Sequence, residues 1–343
     1  MKNKLNNVFF IIGFLAVLIM ALTFDFSMIE LFYQLKRAGG WLFLLLGMWV
    51  ILYLMNTLSF RSIIIGSGPC SIPFIKLFQV TVTGFSLNYA TPAGLMGGEP
   101  YKILELQKYI GVERASSSVL LFAMMHIFSH FLYWLTAVIL YVLYIPLDDM
   151  MKFILIFIIA FCFLGVYAFT LAYKKGFVLN IISLISHLPF LKKKMMSWFF
   201  RHKTQFEMID TQIASLHVKK KRCFYSSLLL EYVGRILQSF EIFFILVLCV
   251  GLTPSFLLFV KALIILAFTS LLANLLFFLP LQLGGREAGF AIFITALGLT
   301  NQTTLVVSIL SRIRELFWTI IGLLLIKIHI PFNHKNDLDV MSA

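Results

Sequence analysis

Charged residues are scarce in this sequence of 343 residues. Asp, Glu, Lys and Arg make up 13% of the chain, whereas 61% of it is hydrophobic and the mean hydropathy is +0.96. So few polar groups cannot cover the apolar surface of a water-soluble domain. The composition excludes a soluble globular class and indicates a polytopic membrane protein.

Cysteine is also scarce. The chain has four, far apart and without a CxxC or CxxH pattern: Cys70, Cys162, Cys223 and Cys249. This spacing implies neither a disulfide framework nor a metal site built from cysteine. His126 and His130 form an HxxxH pair, but the HExxH pattern is absent because Ile127 follows His126. We therefore expect neither a metal nor another cofactor.

Long apolar runs, by contrast, are abundant. Six are long enough to cross about 30 Å of hydrocarbon as helices: 8–23, 41–59, 117–144, 153–173, 224–250 and 303–326. The first follows Lys2 and Lys4 in the manner of a signal peptide, but it is too long for an h-region and no cleavage site follows it. We expect it to be retained as the first span of an all-α polytopic integral membrane protein.

Two further apolar segments, 77–109 and 255–299, are each interrupted by a similar break. Both breaks have a proline, a short spacer, a glycine pair and an acid: Pro92, Gly97, Gly98 and Glu99, then Pro280, Gly284, Gly285 and Glu287. The match predicts a duplicated unit. Broken helices at matching positions in two halves of a membrane protein indicate a substrate site near the bilayer midplane.

The distribution of basic residues predicts the orientation in the membrane. Eleven Lys and Arg lie in 174–222, and further basic residues lie near both ends of the chain. The loops 25–40 and 145–152 contain only three, together with four acids. Because Lys and Arg are enriched in cytoplasmic loops, we expect both termini to be cytoplasmic.

With that orientation, the segments 77–109 and 255–299 must each enter and leave on one side of the membrane. The chain then has six full spans plus two re-entrant helical hairpins, and its halves form an inverted-topology repeat. Because 255–279 alone is long enough to span, eight crossings stay open as an alternative. The predicted parts are a first membrane half at 1–173, a basic cytoplasmic linker at 174–222, a second membrane half at 223–330 and a cytoplasmic tail at 331–343.

The formal net charge of +13 is interpreted as membrane anchoring. Each basic group of the linker near anionic headgroups contributes about 1 kcal/mol of attraction. No element could present a groove-reading helix free of the membrane. We therefore expect membrane lipids as partners and no nucleic acid.

Ionisable residues inside the spans are the candidates for function: His126, His130, Glu231, Arg235, Glu241, Arg312, Arg314 and Glu315. Each costs at least about 2.5 kcal/mol at the bilayer centre, so such groups face the bundle interior or a wet cavity. Helical spacing predicts that Glu231 pairs with Arg235 and that Arg312 pairs with Glu315. The two histidines are interpreted either as packed neutral side chains or as proton carriers.

Three arginines predict a site for a phosphate-bearing headgroup. Arg286, Arg312 and Arg314 lie in or near apolar sequence with few acids to neutralise them, so an anionic guest would explain their cost. A half-helix that begins at the second glycine pair would direct its free N–H groups at the same phosphate. Glu287 would compete for the arginines, and Glu99 would approach from the opposite face.

The sequence from Thr91 to Gly111, and its echo from Leu279 to Gly298, resemble the lysylphosphatidylglycerol synthase transmembrane-region family, a flippase-like domain. The resemblance covers roughly residues 41–326. It implies a multi-pass protein of the inner (plasma) membrane that moves a lipid headgroup between leaflets. Two-domain relatives add a soluble aminoacyltransferase domain. This chain ends soon after its last predicted span, so we do not expect synthase activity or an enzyme.

Two departures from the family pattern concern the headgroup. Relatives carry an Arg and, three positions on, an Asp where this chain has His126 and Ser129, and an apolar residue where it has Arg286. The family's arginine of the final span matches Arg312 or Arg314. Three functions stay open: a translocator of a phospho- or glycolipid, a secondary transporter of a small soluble anion, and a membrane-embedded lipid-modifying enzyme. A second copy of the chain or a separate lipid-synthesis protein stays open as a partner.

Overall fold

A computed structural model describes residues 28–91, 97–175, 207–208, 210–211, 220–276, 282 and 284–328. Within these ranges all regular structure is helical and no strand occurs. The predicted first span at 8–23, most of the basic linker and the tail at 331–343 lie outside the described residues. So do Pro92 and Pro280 at the two breaks.

The helices of the described residues are numbered in chain order: α1 Met28–Ala38, α2 Trp41–Ser67, α3 Phe74–Ala90, α4 Gly98–Ile110, α5 Val112–Tyr144, α6 Asp149–Lys175, α7 Lys221–Phe244, α8 Phe256–Leu275, α9 Gly285–Ala296 and α10 Asn301–Leu325. A π-helical turn, Ile245–Val250, continues α7. The predicted loop 25–40 is therefore largely helical, because α1 occupies most of it.

Five of the described helices are long and apolar enough to cross a membrane: α2, α5, α6, α7 with its π-helical turn, and α8. Four of the predicted runs lie within them, and each helix extends beyond its run. The other two predicted spans are not among the five. The run 8–23 is not described, and α10 carries Arg312, Arg314 and Glu315 near its middle. The structure thus supports a multi-pass helical protein, while the exact number of crossings stays a prediction.

Both predicted breaks separate two packed helices. At the first break α3 and α4 run antiparallel, since Asn88 at the end of α3 contacts Glu99 at the start of α4. At the second break α8 and α9 are also antiparallel, since Gly285 at the start of α9 lies beside Leu276 and Lys261 near the start of α8 donates to the backbone oxygen of Leu297. At 1.5 Å per residue, the 13 residues of α4 and the 12 of α9 extend only about 20 Å, which is less than the hydrocarbon thickness. Re-entrant positions for these hairpins stay a prediction.

Contacts between helices follow one scheme in both halves. The equivalent helices are α2 and α7, α3 and α8, α4 and α9, and α5 and α10. In the first half α2 packs on α3 and α4 packs on α5, and in the second half α7 packs on α8 and α9 packs on α10. Between the halves, α3 packs on α10 and α8 packs on α5. The equivalent helices α2 and α7 also pack on each other and are antiparallel. Ser62 lies opposite Cys223, with an oxygen–oxygen distance of 3.0 Å, whereas Trp49 lies opposite Glu241. These contacts support the predicted inverted repeat.

The polar residues lie between two apolar clusters. One cluster includes the stacked rings of Phe60 and Phe122, 4.6 Å apart, and the other includes Tyr141 and Phe268. Along α5 and α7, the ionisable side chains follow residues of the first cluster and precede residues of the second. Burial of the apolar ends therefore positions a polar layer in the middle of the bundle.

Candidate functional site

The three arginines predicted to hold a headgroup form a buried ion-pair network. Arg312 Nε lies 2.6 Å from Glu287 Oε1, and its Nη1 lies 2.9 Å from Glu315 Oε2. Arg286 also pairs with Glu315. The predicted pairing of Arg312 with Glu315 is therefore confirmed, but neither residue pairs exclusively with the other.

Arg314 completes the network from another helix face. Its Nη2 lies 2.9 Å from Glu241 Oε1, and its guanidinium carbon lies 4.0 Å from the centroid of the Trp49 ring. Trp49 Nε1 donates a hydrogen bond of 3.0 Å to the other oxygen of Glu241. One tryptophan thus contacts both members of the ion pair, through its π face and its N–H group.

The expectation that few acids neutralise these arginines is wrong. Each of the three contacts a carboxylate within 4.0 Å, and three glutamates supply those carboxylates: Glu241, Glu287 and Glu315. Two of the acids come from helices other than α10, and folding brings them to it. The hydroxyl of Tyr89, on α3, donates to Glu315 and accepts from Arg312. Without a guest, the network is formally neutral.

The N-terminus of α9 also differs from the expectation. Helix α9 begins at Gly285, and Gly284 has a φ of 78° that favours glycine. The N–H group of Gly284 donates a hydrogen bond of 2.9 Å to Glu287 Oε2. The anion at this helix end is therefore the carboxylate of Glu287, which occupies the place predicted for a phosphate.

A second polar cluster is centred on His126. Its Nδ1 lies 2.8 Å from Glu231 Oε2, and its Nε2 lies 2.9 Å from Arg235 Nη2. The predicted pairing of Glu231 with Arg235 is wrong in this detail, because the imidazole stands between them. Arg235 Nε donates to Ser129 Oγ at 2.9 Å. In the described chain no carboxylate lies within 4.0 Å of the Arg235 guanidinium, in contrast to the other three buried arginines.

Glu99 belongs to a third cluster, separate from the arginine network. It contacts Lys102 Nζ at 3.0 Å and accepts a hydrogen bond of 2.9 Å from Asn88 Nδ2. The Lys102 ammonium lies 4.9 Å and 5.1 Å from the ring centroids of Phe85 and Phe122. Asn88 also accepts from the N–H group of Gly98, at 2.8 Å. Asn88 thus joins the first turn of α4 to the end of α3.

Two cavities connect these clusters. The larger has a volume of about 520 Å³ and is lined by Glu99, Lys102, His130 and many apolar side chains. The smaller, of about 200 Å³, is lined by Glu231, Arg314 and Glu315 among others. Six residues line both: Phe85, Tyr89, His126, Arg235, Gln238 and Arg286. The two halves of the chain therefore surround one interior polar region.

The wall of the larger cavity includes apolar side chains that are partly exposed. Ile127 on α5 is 41% exposed and Leu275 on α8 is 40% exposed, and both line the cavity. Its lining also includes the aromatic residues Phe131, Trp134 and Phe161. The cavity lining thus combines ionisable side chains with partly exposed apolar ones.

Several site residues were not predicted from the sequence. Trp49, Tyr89 and Lys102 lie in or beside the polar layer. Tryptophan and tyrosine are abundant in membrane helices, and Lys102 was not among the ionisable residues assigned to the six spans because it lies in the segment 77–109. One signal pointed to Lys102: it lies three residues after Glu99, on the same helix face.

A bundle of apolar helices around ionisable side chains and an interior cavity defines a polytopic membrane protein with a buried binding site. The chain belongs to the family described as the lysylphosphatidylglycerol synthase TM region, whose profile matches residues 9–322. No curated protein and no solved structure matches the chain. Membership in this family supports a lipid-related role in the membrane.

Proposed function

We propose that the protein is a lipid translocator that moves a phosphate-containing headgroup between the leaflets of the membrane. The observation that carries the proposal is the larger cavity, which places several cationic groups next to an apolar wall. Among them, Arg235 has no carboxylate partner in the described residues. A lipid presents the same two chemistries side by side, because a charged headgroup is joined directly to its acyl chains.

Arg235 is the group best suited to bind the phosphate. Its guanidinium lines both cavities, and no carboxylate among the described residues competes for it within 4.0 Å. Arg286, which also lines both cavities, offers a second guanidinium. Two planar guanidinium groups match the oxygens of a phosphodiester better than point charges do.

Arg312 and Arg314 are assigned a supporting role in this proposal. Both are almost fully buried, at 2% and 4% exposure, and both donate hydrogen bonds to carboxylates of the protein. They hold Glu287 and Glu241 in place. Glu315 competes with the headgroup for Arg286, which weakens binding enough to permit release.

The acyl chains would remain in the bilayer. Ile127 on α5 and Leu275 on α8 line the cavity and are partly exposed. In this proposal the headgroup enters between α5 and α8 while its tails stay outside. The matching helix contacts of the two halves, with α2 and α7 antiparallel, support an inverted repeat that opens the same site to each leaflet in turn.

The proposal is tested by reconstituting the full chain into phosphatidylcholine vesicles that contain a fluorescent phosphatidylglycerol analogue. Dithionite bleaches the analogue in the outer leaflet, and the decay of the protected fraction reports its movement. We expect Arg235→Gln to slow this movement about tenfold or more, because a charge-assisted hydrogen bond contributes about 1.5–3 kcal/mol. Arg235→Lys should retain part of the rate.

The matched control is Lys152→Gln, which removes an exposed cation that pairs with Asp149 and should leave the rate unchanged. Movement at the unmodified rate in a protein with both Arg235→Gln and Arg286→Gln would contradict the assigned site. Uptake of free phosphate by vesicles in which no lipid analogue moves would favour transport of a soluble anion instead.

A further inference from the structure

The hydrogen bonds around His126 assign its protonation state. A guanidinium has only donors, so Arg235 Nη2 must donate to His126 Nε2 across the 2.9 Å between them. Nε2 is then an unprotonated acceptor. The proton of the neutral ring lies on Nδ1, which donates to Glu231 Oε2 at 2.8 Å. As long as Arg235 occupies Nε2, His126 cannot take up a second proton.

Among the described residues, the charged or titratable neighbours of His126 come from several helices, and Tyr89 of α3 and Arg286 of α9 line both cavities together with it. Helix α7 contributes Glu231 and Arg235, α4 contributes Lys102, and α5 itself contributes His130, whose ring centroid lies 5.6 Å away. From α3 the neighbour is the uncharged ring of Phe85 at 5.2 Å. Glu231 is thus the acid in contact with the imidazole, and its second oxygen, Oε1, is buried without a hydrogen-bond partner.

The charges around the cavities balance in the described part of the chain. Five cations face five anions: Lys102, Arg235, Arg286, Arg312 and Arg314, with Glu99, Glu231, Glu241, Glu287 and Glu315. A phosphodiester that enters this region adds one negative charge in surroundings where unbalanced charge is expensive. One added proton would restore neutrality.

We infer that His126 is a proton-binding site that is filled when an anion binds Arg235. The anion accepts the hydrogen bond that Arg235 had donated to the imidazole, and Nε2 is released. A proton that enters from the bulk solvent then binds Nε2, and no hydroxide is left in the cavity. The ring becomes an imidazolium that keeps its hydrogen bond to the Glu231 carboxylate. The anion and the proton therefore enter together, and neither the phosphate nor the protein undergoes covalent change.

This inference rests on the proposed function for its anion, and it adds a second cargo. Because the anion-bound state holds one proton more than the empty state, anion binding strengthens as the pH falls. The apparent affinity should rise at most about tenfold per pH unit. A translocator with this property moves its lipid together with a proton, so a pH difference across the membrane would bias the direction of movement.

The test uses the full chain in an uncharged detergent with dihexanoylphosphatidylglycerol as the probe, since its phosphodiester keeps one charge over the pH range used. Calorimetric titrations in buffers of different ionisation enthalpy measure affinity and proton uptake separately. We expect uptake of about one proton per bound probe. In His126→Gln, whose amide can both donate to Glu231 and accept from Arg235, the probe should bind without proton uptake. His334→Gln, in the predicted cytoplasmic tail, is the control and should behave like the unmodified protein.

Probe binding without proton uptake, or uptake that persists in His126→Gln, would overturn the inference and leave the anion site standing. Absence of probe binding would instead overturn the anion site, and the proton site with it. A second measurement does not depend on the folding of a variant. Histidine side chains labelled with ¹⁵N should show one ring change from a neutral Nδ1–H tautomer to an imidazolium when the probe is added. A spectrum without that change would also overturn the inference.

Discussion

At the residue scale, buried arginines in this protein differ in what holds them. Arg312 and Arg314 have carboxylate partners, whereas Arg235 is held by a hydroxyl and an imidazole. A neutral partner compensates the cost of burying a cation less completely than a carboxylate does. The same difference leaves Arg235 free to exchange its partner for an anion, which is why the proposed site is centred on it.

Trp49 gives a prediction about the supporting network. Trp49→Phe removes the hydrogen bond to Glu241 Oε2 and leaves a buried carboxylate oxygen without its donor, so we expect the protein to be destabilised by about 1–3 kcal/mol. Thermal unfolding in detergent measures the effect. Trp41→Phe, at a position that is 49% exposed, is the control and should change the unfolding temperature little. Equal effects of the two substitutions would contradict the role given to Trp49.

Gly98 gives a second prediction at this scale. A Cβ atom on Gly98 would lie 2.5 Å from Asn88 Oδ1 and closer still to the backbone oxygen of Gly84. Because a backbone oxygen cannot move aside, Gly98→Ala should destabilise the protein by about 1–3 kcal/mol. Gly47→Ala is the matched control, since no atom lies within 4 Å of its added Cβ. Thermal unfolding of the two variants side by side would show no difference if the close approach is unimportant.

At the element scale, α3 and α4 are fastened together by Glu105 at the end away from the break. The Glu105 carboxylate lies 2.8 Å from Lys76 Nζ on α3 and 2.8 Å from Lys108 Nζ on α4. Burial raises the pKa of Glu105, but the hydrogen bonds from the two lysines outweigh it and lower that pKa from 4.5 to about 2. Asn88 and Glu105 thus hold the two ends of the hairpin.

The lowered pKa of Glu105 predicts how the stability of the protein changes with pH. A carboxyl group whose pKa is lower in the folded state stabilises the protein above its unfolded pKa, and the contribution is lost as the pH falls towards the folded value. Glu105→Gln should therefore destabilise the protein by about 3 kcal/mol at neutral pH, and the difference should narrow between pH 4.5 and pH 2. Asp149→Asn, at an exposed ion pair, should cost little at any pH.

The sequence predicted elements better than contacts between them. The apolar runs placed α2, α5, α6 and α7, and the glycine pairs placed the starts of α4 and α9, since both signals are local. The predicted pairing of Glu231 with Arg235 was wrong because it considered spacing along one helix only. His126, which stands between them, is 105 residues from Glu231 in the sequence. The prediction that few acids neutralise Arg314 was wrong for the same reason, because its partner Glu241 lies on another helix, α7.

At the scale of the whole molecule, three helix–helix contacts of the first half recur in the second, and the equivalent helices α2 and α7 run in opposite directions. A two-fold axis that relates antiparallel helices is perpendicular to them. If those helices cross the membrane, the axis lies in its plane. The cavities between the halves then have equivalent routes to both surfaces, as alternating access requires.

This arrangement predicts a topology that labelling can check. With both termini in the cytoplasm of a cell whose plasma membrane holds the protein, a cysteine at Asp148 should react with an impermeant maleimide in intact cells. A cysteine at Lys203 in the basic linker should react only after permeabilisation. The background for both is a variant without the native residues Cys70, Cys162, Cys223 and Cys249. Labelling of the Asp148 position only after permeabilisation would reverse the orientation.

The pairing of α3 with α10 has a consequence for biosynthesis. Thr83 donates to the backbone oxygen of Gly322, 239 residues later, and Ser86 donates to that of Trp318, 232 residues later. At about 5–20 residues per second, a ribosome needs roughly ten to fifty seconds to make the intervening chain. During that interval Thr83 and Ser86 lack the α10 oxygens that they contact in the folded protein. We therefore expect the nascent first half to depend on the insertion machinery or on its chaperones to shelter the face of α3 that α10 will cover.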